Sequence, residues 1–295
     1  MNIEKTSKFL TKVESFSLLG ETSSESEKTQ NKNHFAIRTD QRLLINQILN
    51  EMLLQCTSLK HLSIQTYSPE NISQCYSYFS NLKTLNLKLG VSKQGDADIS
   101  CLVEKFIPVL ASTKYMENFG LKMFSWGKNA QEQLVKLHQL ECMQKLRTYS
   151  LHVIKGTNFE NFGIKLNQVS KFIDQMKSLE NLELYFDKVI GDLNDEEFWN
   201  ISYLQGLKHF SLEIPSYQIK LVSRFFYQHL AKMQNLETLT IIKPDFGKLQ
   251  ALSELPNFPK LRTLNIQKTK DAASTEDSIN IFEYLQYKNQ SINKD

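Results

Sequence analysis

A six-residue pattern, apolar at its first, fourth and sixth positions, returns eight times along the chain. The copies are LKHLSI from residue 59, LKTLNL from 82, MENFGL from 116, LRTYSL from 146, LENLEL from 179, LKHFSL from 207, LETLTI from 236 and LRTLNI from 261. Alternation of apolar and polar residues has the period of a half-buried strand. Each copy therefore predicts a strand with positions 1, 4 and 6 in the core and positions 3, 5 and 7 on the opposite face. Between the copies the period changes. Residues 96 to 112 place Ile99, Leu102, Val103, Phe106, Ile107 and Leu110 at steps of three and four, which predicts an amphipathic helix bent at Pro108. Residues 165 to 177 (Leu166, Val169, Phe172, Ile173, Met176) and 216 to 233 (Ile219, Val222, Phe226, Leu230, Met233) repeat that helical stripe. Strands alternating with helices predict an α/β chain with a parallel sheet. Asn81, Gly206 and Asn235, each just before a copy, are expected to take the left-handed conformation that closes a helix.

Start-to-start intervals of 23 to 34 residues point to a repeat architecture, one strand and one helix per unit. On the LxxLxL residues, over roughly residues 55 to 270, the chain resembles the leucine-rich repeat family in its long-repeat, ribonuclease-inhibitor-like form. The resemblance implies a solenoid, or horseshoe, with a parallel concave sheet and helices on the convex side. It also implies a protein-binding role. One departure stands out: the family's ninth-position Asn or Cys is replaced by Tyr67, Gly90, Phe124, Ile154, Asp187, Pro215, Pro244 and Thr269. Backbone amides beneath the strands must then find other partners, so irregular loops are expected.

The ends read differently from the middle. VESFSL at 13 to 18 predicts an N-terminal strand, and GETSSESEKTQNKN at 20 to 33 reads as a mobile polar loop. Residues 40 to 55 predict a helix burying Leu44, Ile48 and Leu54, and STEDSINIFEYLQYK predicts a C-terminal helix starting near Ser274 or Thr275, with Ile279, Phe282 and Leu285 on one stripe. Solenoid ends need covers. The organisation expected is therefore an N-terminal strand and loop over 1–34, the repeat array over 35–270, and a capping helix with tail over 271–295.

The outward positions form a polar face of short side chains. Its candidate partner-binding residues are His61, Asn86, Lys88, Lys122, His152, Asn181, Glu183, Tyr185, His209 and Glu213. Short polar groups on a sheet hydrogen-bond a partner with little ordering entropy, which favours a protein or peptide over a small apolar ligand. The aromatic residues Phe198, Trp199 and Tyr203 in NDEEFWNISYL, and Trp126 in KMFSWGKN, are secondary anchor candidates, with core packing as the simpler reading.

Composition narrows the function classes further. The 295 residues, 41% hydrophobic, suffice for a sizeable core, and 35 basic against 32 acidic residues leave a net charge of +3. That balance argues against nucleic acid or an anionic membrane surface as partner. No run of 18 apolar residues predicts membrane insertion, and the amino terminus has no secretory pattern, so an intracellular protein, cytoplasmic or bound to a large assembly, is expected. Cys56, Cys75, Cys101 and Cys142 form no CxxC pair, so neither zinc nor a disulfide framework is indicated.

Catalysis needs groups converging within about 3 Å. On a parallel sheet His61 and His209 stand five strand spacings, about 24 Å, apart, which excludes a shared metal or dyad. DFG at 245 to 247 lacks the glycine-rich loop and HRD motif of a kinase, and no P-loop, HExxH or GxSxG motif occurs. The reading is a non-catalytic interaction module, an adaptor or structural subunit, with no cofactor and no metal. The alternatives are a ubiquitin-ligase substrate receptor, for which residues 1 to 55 lack an F-box opening, and a component of a ribonucleoprotein complex, which steep salt dependence would reveal.

Overall fold

The computed structural model describes residues 15–20, 34–39, 56, 58–66, 80–89, 99–123, 130–154, 164–187, 189–190, 198–214, 228–242, 258–267 and 278–279. These fall into two compact units, the first up to Leu146 and the second from Arg147 onward.

In the first unit five parallel strands stand in the order β2-β1-β3-β4-β5, where β1 is Ser15–Gly20, β2 His34–Thr39, β3 His61–Thr66, β4 Thr84–Leu89 and β5 Asn118–Met123. β3, β4 and β5 arise from the first three copies of the pattern. Two features depart from a simple run of repeats. The segment between β1 and β3 contains a further strand, and that strand lies outside β1, so chain order and sheet order differ. The register nonetheless keeps one phase, aligning Phe16 with Leu62 and Phe35, and Leu18 with Ile64 and Ile37. Three helices follow the same logic. Ile99–Ser112 connects β4 to β5, and Ala130–His138 and Glu141–Gln144 follow β5. Parallel neighbours require such crossovers.

In the second unit β6 (Thr148–Val153), β8 (Asn181–Phe186), β10 (His209–Glu213), β11 (Thr238–Ile242) and β12 (Thr263–Gln267) stand side by side in parallel, one from each remaining copy. A short separate pair joins β7 (Ile164–Lys165) to β9 (Val189–Ile190), and the helix Leu166–Ile173 connects β6 to β8. Phe198–Tyr203 forms a 3-10 helix in the place where a repeat helix is expected, with Ile201 and Leu204 buried. β13 (Ser278–Ile279) pairs antiparallel with β12. These two residues were expected inside the C-terminal helix; the partnerless edge of β12 claims them as strand instead. The rest of 271–295, the loop at 21–33, the helix at 40–55, most of 216–233 and Trp126 lie outside the described residues.

The core follows the pattern. Of the positions 1, 4 and 6 whose exposure is described, all are buried except Leu261. Phe119, Tyr149, Leu182 and Phe210 at position 4 are 2% exposed or less, and Phe119, Tyr149 and Phe210 are, with Phe186, the largest fully buried side chains among the described residues. The alternation runs further than the six-residue pattern: Leu89, Met123, Val153, Phe186 and Ile214 at position 8 are also buried. Val103, Phe106, Val109 and Leu110 from the first connecting helix and Val169, Phe172 and Ile173 from the second complete the two interiors. Pro108 sits inside the first helix, and both it and Glu104, whose carbonyl it leaves without a donor, are exposed to water.

Within each unit the repeats dock on their predecessors through one recurring backbone device. The carbonyl at position 2 accepts two amides, from positions 2 and 3 of the next copy: Lys60 from Lys83 and Thr84, Lys83 from Glu117 and Asn118, Arg147 from Glu180 and Asn181, Glu180 from Lys208 and His209, Lys208 from Glu237 and Thr238, and Glu237 from Arg262 and Thr263. Each carbonyl has two lone pairs and uses both. This device satisfies strand-entry amides without the missing ninth-position Asn. The side chains on this row alternate in sign where they meet. Lys83 lies 3.3 Å from Glu117, and Glu180 bridges Arg147 (2.6 Å) and Lys208 (2.8 Å), which hold its carboxyl below the ordinary range, Lys208 most strongly.

Gly206 corrects one expectation. It does not take the left-handed conformation; a Cβ there would lie 3.1 Å from the Leu179 carbonyl oxygen, so the glycine allows close approach of adjacent turns. Asn235 works through its side chain, donating to the Gln205 carbonyl at 2.7 Å and accepting from Lys260 Nζ at 2.6 Å.

Candidate functional site

None of the described outward residues at positions 3, 5 and 7 is buried, so each unit presents an open polar sheet face. In the first unit the face carries His61, exposed at the start of β3, and Asn86, Lys88 and Lys122 on β4 and β5. Register sets Lys88 beside Lys122 and Asn86 beside Gly120. A Cβ at residue 120 would stand 2.5 Å from Asn86 Oδ1, so glycine there makes room for the amide. Asn118 Nδ2 donates to Thr84 Oγ1 at 3.1 Å, tying the two strands at position 3.

In the second unit the face is a grid. β6, β8 and β10 bring Thr148, Asn181 and His209 into one row, Ser150, Glu183 and Ser211 into the next, and His152, Tyr185 and Glu213 into a third. Six candidate residues from three strands thus come together. The first row repeats the tie seen above, with Asn181 Nδ2 donating to Thr148 Oγ1 at 3.1 Å. In the second row Ser150 Oγ donates to Glu183 Oε2 at 3.0 Å, while Glu183 Oε1 lies 3.1 Å from His152 Nε2. That oxygen is at ion-pair distance yet off the direction in which the ring nitrogen hydrogen-bonds.

The third row is aromatic and acidic. The His152 and Tyr185 rings stack with centroids 5.5 Å apart and planes at 21°. Tyr185 Oη donates to Asp187 Oδ1 at 2.7 Å. Burial is the main cause raising the Tyr185 phenol well above its ordinary range, with the Asp187 hydrogen bond and the charges of Asp187 and Glu213 adding to it. The hydroxyl stays protonated at any physiological pH. Asp187 was not among the candidates, although it stands two residues beyond Tyr185 and continues the outward alternation 183, 185, 187; its ninth-position place was read only as a missing Asn.

Chemically, this arrangement holds charge and a flat ring surface. The Ser150, Glu183 and His152 side chains touch, yet in an order unlike a hydrolase triad. The carboxylate stands between hydroxyl and imidazole, so the Ser150 proton points at Glu183 and not at a ring nitrogen. Among the described residues no three His, Cys, Asp or Glu side chains are grouped to hold a metal ion. The buried thiols are poor nucleophiles: burial pushes Cys56 up to about 11 and raises Cys142, whose Sγ donates to the Leu110 carbonyl at 3.2 Å.

Tyr203 is exposed on the 3-10 helix, with Lys232 Nζ 3.1 Å from its hydroxyl, so this aromatic anchor candidate faces solvent next to a cation. Among the described residues no helix is long and apolar enough to cross a membrane. No family model and no curated protein matches the chain.

Proposed function

We propose that the chain is a leucine-rich repeat-like interaction module, an adaptor or structural subunit without catalytic activity, whose sheet curves into a horseshoe and binds a protein partner on its open face. The observation that carries this reading is the second-unit grid, in which strand register gathers His152, Asn181, Glu183, Tyr185, His209 and Glu213 onto one half-exposed surface. Residues at core positions are nearly invariant in type from copy to copy, while those at positions 5 and 7 vary among Ser, Thr, Asn, Gln, Gly, Glu, His, Tyr, Lys and Ile. Variation on the outward rows over a constant core is what a recognition surface on a repeated scaffold requires. Tyr185 supplies the rigid aromatic type enriched at binding hot spots, ringed by polar groups able to orient a partner.

The test is substitution within the native complex. Glu183→Ala, Tyr185→Ala and Glu213→Ala, made singly, are expected to weaken co-purification of the native partner by about tenfold each, the scale of a contact worth 1 to 2 kcal/mol, with far-ultraviolet circular dichroism unchanged. A complex indifferent to every substitution on the open face contradicts the proposal and moves the contact to the helices or the ends.

A further inference from the structure

The open face of the second unit is selective in sign. Its described outward residues on β6, β8, β10, β11 and β12, together with Asp187, include three carboxylates (Glu183, Asp187 and Glu213) and no lysine or arginine. Of the cations at and beside this unit's described strands, Arg147, Lys208 and Arg262 stand at position 2, where the first two engage Glu180, and Lys165 lies on the separate β7. The first unit's face has the opposite character, with Lys88 and Lys122 side by side.

Geometry adds a second element to the charge. Tyr185 stands in register between His152 and Glu213, its ring stacked on the imidazole and its hydroxyl fixed by Asp187. Glu183 is two residues back on the same strand with its side chain 52% exposed. Glu183 and Glu213 are therefore diagonal neighbours on adjacent strands, a relation that spaces them by about 7 to 8 Å, with Tyr185 at the corner they share, next to Glu183 along β8 and in register with Glu213 on β10. That span suits a guanidinium lying against the ring with its N–H groups directed at both carboxylates. A planar cation gains from the ring face and from two charge-assisted hydrogen bonds together, whereas an ammonium cannot span both.

Resting on the reading of the chain as an interaction module, we infer that the second unit's open face docks an extended, arginine-bearing basic segment of a partner protein, one arginine seated over Tyr185 between Glu183 and Glu213. Selectivity for arginine over lysine follows from the ring and the paired carboxylates. Selectivity for basic over acidic segments follows from the lack of lysine and arginine among the described outward residues.

Three fluorescein-labelled octapeptides test this by anisotropy at 0.15 M salt, where non-specific attraction is screened beyond about 8 Å: Ser-Arg-Thr-Arg-Ser-Arg-Thr-Arg, its lysine counterpart and its glutamate counterpart. The arginine peptide is expected to bind the full chain about tenfold or more tighter than the lysine peptide, and the glutamate peptide not at all. E183Q/E213Q should lose about tenfold or more in arginine-peptide affinity, and Tyr185→Leu should remove the preference over lysine. K177Q, just after the helix Leu166–Ile173 and outside the outward rows, should leave the arginine-peptide affinity unchanged. Equal affinity for arginine and lysine peptides, retention of binding in E183Q/E213Q, or preference for the glutamate peptide each overturns the inference. So does a concentration-dependent dimer that E183Q/E213Q abolishes in a chain that binds no peptide, because a second copy then occupies the face. If native-complex capture falls with Glu183→Ala and Tyr185→Ala while no arginine peptide binds, the interaction module stands and this partner chemistry fails.

Discussion

His138 shows how one buried side chain ties stability to pH. It lies at the end of the helix Ala130–His138, 2% exposed, with its Nδ1–H donating to the Leu134 carbonyl at 2.5 Å. Burial lowers its pKa to about 4, outweighing the hydrogen bond to Leu134. The unfolded chain then binds a proton near pH 6.5 that the folded chain refuses until about pH 4. The contribution is complete above pH 6.5 and is lost as pH falls from 6.5 to 4, on the order of 3 kcal/mol in all. Urea unfolding at pH 7, 5.5 and 4.5 is expected to show this decline, and His138→Gln should flatten it; an unchanged slope in the variant would assign the acid sensitivity elsewhere.

At the scale of the element, the strand is the unit the sequence encodes most plainly. Hydrophobic alternation specifies which side of Leu182 or Phe210 is covered, because a one-residue slip would expose the whole row. Leu182, 2% exposed near the start of β8, and Leu261, only partly buried ahead of β12, are both core positions of the pattern yet differ in burial. Leu182→Ala is expected to cost about 2 to 5 kcal/mol through lost burial and a residual cavity, and Leu261→Ala clearly less. Chemical denaturation of the two variants checks the difference, and equal losses would contradict the burial described.

The limits of legibility are physical as well. β2 was missed because HFAIRT holds only two apolar alternations and no neighbouring copy, so pairing with β1, not local pattern, makes it a strand. A glycine before a strand serves either backbone conformation or close approach, and at Gly206 only the neighbour, Leu179, decides which. Ten outward residues were legible from alternation alone. That six of them share a surface follows from register, which Ser150, Glu183 and His152 then turn into contacts no single strand contains. Asp187 was within reach, since alternation continues through 183, 185 and 187.

At the scale of the whole molecule, the two units share a scaffold and differ in what they display. Repeated backbone docking through the position 2 carbonyl makes each strand a copy of the last, so the outward side chains are free to vary without cost to the core. Lysines on the first face and carboxylates on the second follow from that freedom.

Crosslinking mass spectrometry of the endogenous complex, with an amine-reactive reagent and a zero-length carboxyl-to-amine reagent in parallel, tests the central claim most directly. The account predicts partner crosslinks at Lys88, Lys122, Glu183 or Glu213 on the open faces. Partner crosslinks confined to Lys136, Lys171 and Lys177, on and just after the connecting helices, would contradict it.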